Sequence, residues 1–541
     1  MTRCVVRFRK FRNLPFVVSL FVPSAPRHFQ AMPQMPANQH LIATMTIAAC
    51  QTRLQVIGVN GGDGLNACFR YAVDLVSPDP GLDCAALIDA CALLTFGVTE
   101  ASVQCVHGTI ESCIRRYRGA QLSLYQLTLV PALQRLEGAP QRRSFNGHSA
   151  PQIISQLLLD NGMPQEAFRF EHLIGRYPPR KHCIQFDESD LHLLKRLCEE
   201  EGISFRFEHK AHSHTLIFAD DPATFTEWPH AAEVEHLAER FSAHTCYSTH
   251  AGEQYEPWRG PMSAHTHQAD HQRHCINANG ADPRQQQVAR RQLERQRCER
   301  RDIRGRSHLS GLRSGAVIRI EGHGQAYLND QWLITEVRHS VLQLYPLRGC
   351  RAEDVIGILH ALPAENRILH APVSGPEARS RLALAHYSNQ FKVIQWTLPF
   401  RPSLAHGKPQ ISGSVGVTLT DTPPNAQGEV CVRYDWQPPS TGPCGQDSFA
   451  SVISRSGVLN AGDRLRVRFF EGDPDQPYVC AAGDGQTAYP ALADKPPVAA
   501  PTTAYVHIRS PKPMRLKTSR ATLTLTHQGV CFEPHQTPRQ P

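Results

Sequence analysis

The block from Tyr177 to Phe207, YPPRKHCIQFDESDLHLLKRLCEEEGISFRF, constrains the fold more than any other stretch of the 541 residues. It reads as strand, helix, strand. Ile184 and Phe186 alternate with Cys183 and Gln185, the period of two expected of a half-buried strand. Ser189 is placed to cap the helix that follows. Leu191, Leu194, Leu197 and Cys198 fall on one helical stripe, which predicts that Lys195, Arg196 and Glu199 to Glu201 face water. Gly202 offers the positive φ that ends such helices. Ile203, Phe205 and Phe207 then resume a period of two.

This block resembles the VgrG family, the spike proteins of bacterial type VI secretion systems, whose members look like the hub and spike proteins of contractile phage tails. The resemblance is carried by Tyr177, Pro178, Arg180, Gln185, Phe186, Glu188, Ser189, Asp190, Arg196, Leu197, Glu200, Glu201, Gly202 and Ile203. A second motif, FEGDPDQP from Phe470 to Pro477, matches the family's run at the end of an oligonucleotide-binding-type barrel. Upstream, Asp421, Gly428, Val430, Val432 and Trp436 resemble a strand pair of that barrel, whereas Glu429, Tyr434 and the run from Leu459 to Gly462 depart from it. The resemblance covers roughly residues 46–490. It implies a mainly β fold with inserted helices (β+α): two small hub barrels followed by an oligonucleotide-binding-type β-barrel. It also implies a homotrimer seated on a hexameric tube protein, with a tip-sharpening protein or effector cargo as further partner. Such a chain is cytoplasmic before firing and secreted afterwards. It is not an enzyme, and no catalytic, cofactor-binding or metal residue is assigned; no nucleic acid and no stable membrane insertion are expected.

On this pattern the chain divides into five parts. In 1–45, Arg3, Arg7, Arg9, Lys10 and Arg12 precede an apolar run from Leu14 to Val22. That is either a secretory signal or an unstructured, mis-started extension with Met45 as the alternative start; the second is preferred because the family carries no cleaved signal. Residues 46–340 are the hub-like region. Its strands are expected at Leu54 to Val59, Phe69 to Val76, Leu122 to Val130, Ala316 to Ile320 and Trp332 to Val337. A helix begins after Ser149, with Pro151 in its first turn and a stripe of Ile153, Ile154, Leu157 and Leu158. Residues 341–405 read as an irregular insertion and linker. Four prolines, Pro346, Pro363, Pro372 and Pro376, make 341–382 a surface loop with a helical turn near Glu353 to His360. The Asn-x-Phe of the family is matched by Asn389 and Phe391. Residues 406–487 form the barrel: Val415, Val417 and Leu419 alternate, as do Val430, Val432 and Tyr434, and Leu465, Val467 and Phe469. Residues 488–541 are a short tail with a vestigial β-helix start. Arg520 to Thr526 alternates, and Pro534, Pro538 and Pro541 are expected to stop the ladder, leaving a short form without the family's long needle, a truncated copy, or a hub whose needle comes from another chain.

The chemical motifs are sparse. The segment from His265 to Cys275 places His267 and His271 four residues apart, as one face of a zinc-binding helix requires. The alternative is a solvated segment in a chain with 28 histidines, preferred because the usual glutamate neighbour is missing. His209, His212 and His214 read as a hairpin turn. Arg290, Arg291, Arg295, Arg297, Arg300 and Arg301 lie on a polar helix, 284–301, that either grips phosphates or is a solvated helix salted by Glu294 and Glu299; the solvated reading is preferred. Glu188, Asp190, Glu199, Glu200 and Glu201 suggest cap chemistry at one helix end and a solvated other end. Seventeen cysteines without a Cys-x-x-Cys pair argue against a zinc ribbon or disulfide framework. The net charge of +8 permits an acidic partner. Two alternatives to the spike reading stay open: a basic nucleic-acid-binding barrel protein, and a metal-dependent hydrolase using the 265–275 histidines.

Overall fold

The computed structural model describes residues 42–480 apart from 49, 51, 53, 99–101, 233, 235, 242–247, 251–262, 266–282, 364–384, 438–446 and 455–458, and beyond them 514–517, 521–526 and 529–534. The chain separates into two compact units, Met1–Ser454 with Leu459–Cys480, and Arg455–Val458 with Ala481–Pro541.

The first unit is mainly strand. A 12-stranded sheet runs in the order Ile42–Ile47, Cys91–Gly97, Gln104–Arg118, Ser123–Val130, Ala67–Ser77, Gln55–Gly64, Gln331–Gln343, Ala385–Gln395, Arg301–Ser307 and His236–Phe241. Thr226–Ala232 and Ala316–Ile320 branch from it. The strand Gln331–Gln343 is shared: it pairs with Gln55–Gly64 on one side and with Ala385–Gln395 on the other. Two apolar cores lie on the halves that it joins. Phe69, Tyr71, Leu94, Phe96, Leu127 and Leu129 fill one; Ile303, Ile318, Trp332, Ile334, Phe391 and Val393 fill the other. The strands expected from alternation are all present, because their apolar residues carry the period.

Gly61 and Gly62 sit where neighbouring backbones approach most closely. A Cβ on Gly62 would collide with the Val337 carbonyl, and one on Gly61 with that of Arg70. Gly62→Val should therefore cost ~3 kcal/mol or more, the upper end of overpacking. Gly324→Ala, with nothing within 4 Å of the added carbon, should be neutral. Urea denaturation of the two variants checks the contrast.

The reading of 341–382 as a surface loop is corrected where the structure describes it. The shared strand runs on to Gln343, a 3₁₀ turn covers Tyr345–Leu347, and helix Ala352–Ala361 follows. Leu342, Leu344, Leu347, Val355, Ile358 and Leu362 are buried against Ile57, Val76, Leu122 and Leu124. The prolines misled because Pro346 occupies the first turn and Pro363 follows the helix, positions where proline breaks nothing. Asp354 fastens the cap by accepting from the Ala120 and Gln121 amides at 3.1 and 2.9 Å. The supposed linker also contributes a full hub strand, Ala385–Gln395, in which buried Asn389 bonds the Leu309 carbonyl at 2.7 Å.

Two helices and a barrel bear on the site. Helix α1, Ala150–Asp160, begins as expected after Ser149, whose N–H donates to Gln152 Oε1 at 2.8 Å. Helix α2, Asp190–Glu201, packs with α1 over a core that includes Ile153, Leu157, Leu194, Leu197, Phe205 and Phe218. Five strands, Ser414–Leu419, Val430–Tyr434, Ser448–Ser454, Pro477–Cys480 and Arg464–Phe469, close into a barrel in that order. Its core holds Val417, Leu419, Val430, Val432, Tyr434, Leu465, Val467 and Phe469.

The second unit is a three-stranded antiparallel meander of Met514–Lys517, Ala521–Thr526 and Gly529–Pro534. The ladder ends at Pro534, the last residue of its edge strand, opposite Ala521. Pro538 and Pro541 lie outside the described residues.

Candidate functional site: the joint between hub and barrel

The two sequence motifs meet. The Ile184 N–H of the first donates to Asp475 Oδ1 of the second at 2.9 Å, across 291 residues of chain. Lys408 reaches both aspartates of the second motif, Asp473 at 3.1 Å and Asp475 at 2.8 Å. Lys181 pairs with Glu429, which also accepts from Ser451 at 3.1 Å, so the departure at Glu429 is answered by a hub lysine. Asn146 donates to Ser448 Oγ at 2.8 Å. On the apolar side of the joint, Trp436 stacks on Tyr434 at 4.3 Å and meets Phe186 edge-on at 5.8 Å. The Arg142 guanidinium covers Phe186 at 4.4 Å.

Helix α2 is the centre of the hub side. Ser189 Oγ accepts from the His192 amide at 3.1 Å, and Gly202 adopts φ +66°, both as its sequence requires. Three of its polar residues are buried, which corrects the expectation for Arg196, Glu199 and Glu201, while Lys195 and Glu200 stay partly exposed. Arg196 is 0% exposed, Glu199 4% and Glu201 3%. The reason is pairing. Arg196 bonds Glu188 at 2.6 Å and Glu200 at 3.1 Å. Arg180 bonds Glu200 and Glu201, each at 2.7 Å. Burial opposes the charge on Glu200, but Arg180 and Arg196 outweigh it and hold the carboxyl down at about 2. Burial pushes Glu188 up, although Arg196 pulls against it.

A helix leaves its last carbonyls unpaired, at the negative end of its dipole. Three guanidiniums close that end of α2. Two come from helix α3, Pro283–Arg300: Arg291 donates to the Glu201 carbonyl and Arg295 to that of Glu199. The third, Arg401, donates to the Gly202 carbonyl at 3.0 Å and pairs with Glu294 at 2.7 Å. Asp220 gathers the start of the motif. It accepts from the amides of Ile174 and Gly175 at 2.7 and 2.9 Å, from the Tyr177 hydroxyl at 2.6 Å and from Arg291.

Neither reading of the Arg-rich helix survives intact. Arg291, Glu294, Arg295 and Cys298 are its buried face, at spacing i, i+3, i+4, i+7, and only the other face is solvated. The signal was present as a helical stripe written in charged residues. Asp220, Arg401 and Lys408 were missed altogether; nothing in their local sequence marks them.

Beside the joint lies a cleft of about 850 Å³ walled by Arg180, Lys181, His182, Glu200, Lys408 and Glu429, among others. Each of those acids is paired with a base. Burial and Lys181 lower His182 to about 4, and burial pushes the Cys183 thiol up to about 12. So weak a base does not draw the proton from so weakly acidic a thiol.

His209 and His214 have structural roles. His209 and His214 face each other at the base of a hairpin, as expected, with Lys210 N–H donating to the Ser213 carbonyl at 2.8 Å. His107 N–H donates to His209 Nδ1, and Ala132 N–H to His214 Nε2, each at 3.2 Å. Among the described residues no cluster of His, Cys, Asp and Glu is arranged to hold a metal. His267, His271, His274 and Cys275 lie outside them.

A strand-built hub fastened to a small closed barrel by hydrogen bonds, an ion pair and ring contacts defines a baseplate-hub type of protein. Residues 62–344 match the phage tail baseplate hub (GPD) family, and the chain belongs to it. The chain is 32% identical over 478 residues to the type VI secretion system spike protein VgrG4b of Pseudomonas aeruginosa, covering 82% of this chain and 56% of that one. It is 29% identical to spike protein VgrG5 of the same organism, over 82% and 57% of the two chains. The likeness to VgrG proteins is thus homology, and the chain spans about half the length of the curated relatives it matches. Among solved structures, the E. coli c3393 protein, a type VI secretion component described as similar to phage tail proteins gp27 and gp5, shares the fold. The TM-score is 0.58 at 21% identity, over 81% of this chain and 99% of that one.

Proposed function

We propose that this chain is a structural spike or hub component of a type VI secretion system. It trimerises at the tip of the injected tube and helps deliver effectors. The observation that carries this reading is the joint: the family's two motifs are used to lock hub and barrel together. Polar groups fastened on both sides of a packed interface resist displacement, because parting them takes from Asp475 and Glu429 the hub donors they accept from. The same joint supports a mechanical rather than an enzymatic role. It also weakens the nucleic-acid alternative, since Arg291 and Arg295 are consumed in closing α2.

The rest of the reading follows the relatives. The hexameric tube protein lies below the trimer, a tip-sharpening protein or effector cargo above it, and the chain waits in the cytoplasm before leaving through the machine. No nucleic acid, cofactor, metal or stable membrane insertion is part of it. No helix among the described residues is long and apolar enough to cross a membrane. The domain limits 46–340, 341–405, 406–487 and 488–541 belong to the same proposal, with Ala385–Gln395 returned to the hub. Light scattering of the purified chain should report about three times 60.3 kDa, and the trimer should bind tube-protein hexamers. A stable monomer that ignores the tube protein would overturn the reading.

A further inference from the structure

One face of the hub sheet carries an unassigned basic depression. His236, Arg306, Gln390 and Arg338 form one row across four neighbouring strands, and Arg304, Lys392 and Glu336 form the next. Together they line a cavity of about 410 Å³. Four cations meet two acids there. Arg304 and Lys392 share Asp302, at 3.0 and 3.6 Å, and Arg338 meets Glu336 at 3.0 Å. Arg306 faces no acid among the described residues. The ion pairs are loose ones on an open face, with Arg304 and Arg338 side chains 68% and 76% exposed. Such pairs contribute little stability and exchange readily.

We propose that this depression is a docking socket for an extended acidic segment of a partner protein. The spacing selects that occupant. Arg306 and Arg338 stand on either side of Gln390, two strand separations or ~10 Å apart, leaving room for one carboxylate between them. Arg304 and Arg306 alternate along one strand, ~6.7 Å apart, which is also the repeat of every second residue in an extended peptide. A chain with acids at alternate positions thus meets both rows at once, whereas an isolated phosphate engages one.

The test uses the full chain and a fluorescent peptide of alternating glutamate and threonine, with binding read by anisotropy at low salt. The double variant Arg306→Gln/Arg338→Gln should weaken binding about tenfold or more, the worth of one to two hydrogen bonds to a charged group. The control is Arg464→Gln/Arg466→Gln. These arginines form an equally exposed basic row on the barrel strand Arg464–Phe469 but lie outside the cavity, and their loss should leave binding unchanged. Equal losses in the two double variants would reduce the effect to general electrostatics and overturn the assignment. So would absence of binding, or tighter binding of inorganic phosphate or a single-stranded oligonucleotide than of the peptide. The trimer measurement, made on the same variants, reports separately on the spike reading.

Discussion

Asp220→Ala should cost about 3–5 kcal/mol, the range for removing one member of a buried ion pair. Asp220 is fully buried at its side chain and holds four donors: Arg291, the Tyr177 hydroxyl and the amides of Ile174 and Gly175. Alanine leaves all four without this acceptor. Asparagine should be little better. Its oxygen keeps one side of the site, but its NH₂ then faces further donors. The pair can be isolated by adding Arg291→Met to Asp220→Asn, which removes the stranded charge; the double variant should be less costly than the sum of the singles by more than 1 kcal/mol, the sign of direct coupling. Chemical denaturation measures each corner of the cycle, and hydrogen exchange at Ile174 and Gly175 reads the same loss locally. A cost below ~1 kcal/mol for Asp220→Ala, the level of a surface pair, would mean that the Asp220 cluster is not integral to the hub.

The joint also shows what the amino-acid order reveals and what it hides. Where apolar residues carry the period, the reading is direct: the stripe of α2, its Ser189 cap, its Gly202 exit and the alternating barrel strands all lie where their spacing puts them. Where a buried face is charged, hydrophobic periodicity points the wrong way. Arg291, Glu294, Arg295 and Cys298 keep perfect helical spacing, yet three of the four look like solvent residues until their partners are known. Those partners are remote: Arg401 reaches the Gly202 carbonyl 199 residues away, and Lys408 reaches Asp473 after 65. No local pattern encodes such a pairing. Proline counting failed for a related reason. Pro346 and Pro363 bracket a buried cap and do not interrupt it, and only the packing of Val355 and Ile358 distinguishes the two cases. The family's motifs were recognisable before their purpose was. Glu200 and Glu201 stand in the motif because Arg180, another of its members, closes on both.

Acid should unfold this protein well before neutral carboxylates alone would. Burial holds four histidines neutral: His339 and His209 are lowered to about 3, His214 and His182 to about 4. Repulsion from His214 adds to the effect at His209, from His107 at His214, and from Lys181 at His182. The geometry agrees, because His209 Nδ1 and His214 Nε2 accept backbone N–H groups and would lose them on protonation. His339 is 2% exposed, with Nδ1 at 2.7 Å from the Tyr387 hydroxyl and the rings of Tyr71 and Phe96 around it. In the unfolded chain each histidine takes its proton near pH 6.5. A depressed folded value means that the stability is fully present above that pH and drains as pH falls toward 3–4. The loss is about 1.4 kcal/mol per pH unit for each group, or about 2 kcal/mol per histidine by pH 5. Glu200, held at about 2, adds a loss in the same direction below the ordinary glutamate range, while Glu188, raised by burial, opposes it. Urea midpoints measured from pH 7.5 down to 5 should therefore fall steeply, with several protons taken up on unfolding. His339→Leu should make that slope shallower by about one proton, since a leucine has nothing to titrate. A stability that stays level between pH 7 and 5 would contradict the account, because four desolvated imidazoles cannot remain neutral in the fold and charged outside it without that dependence.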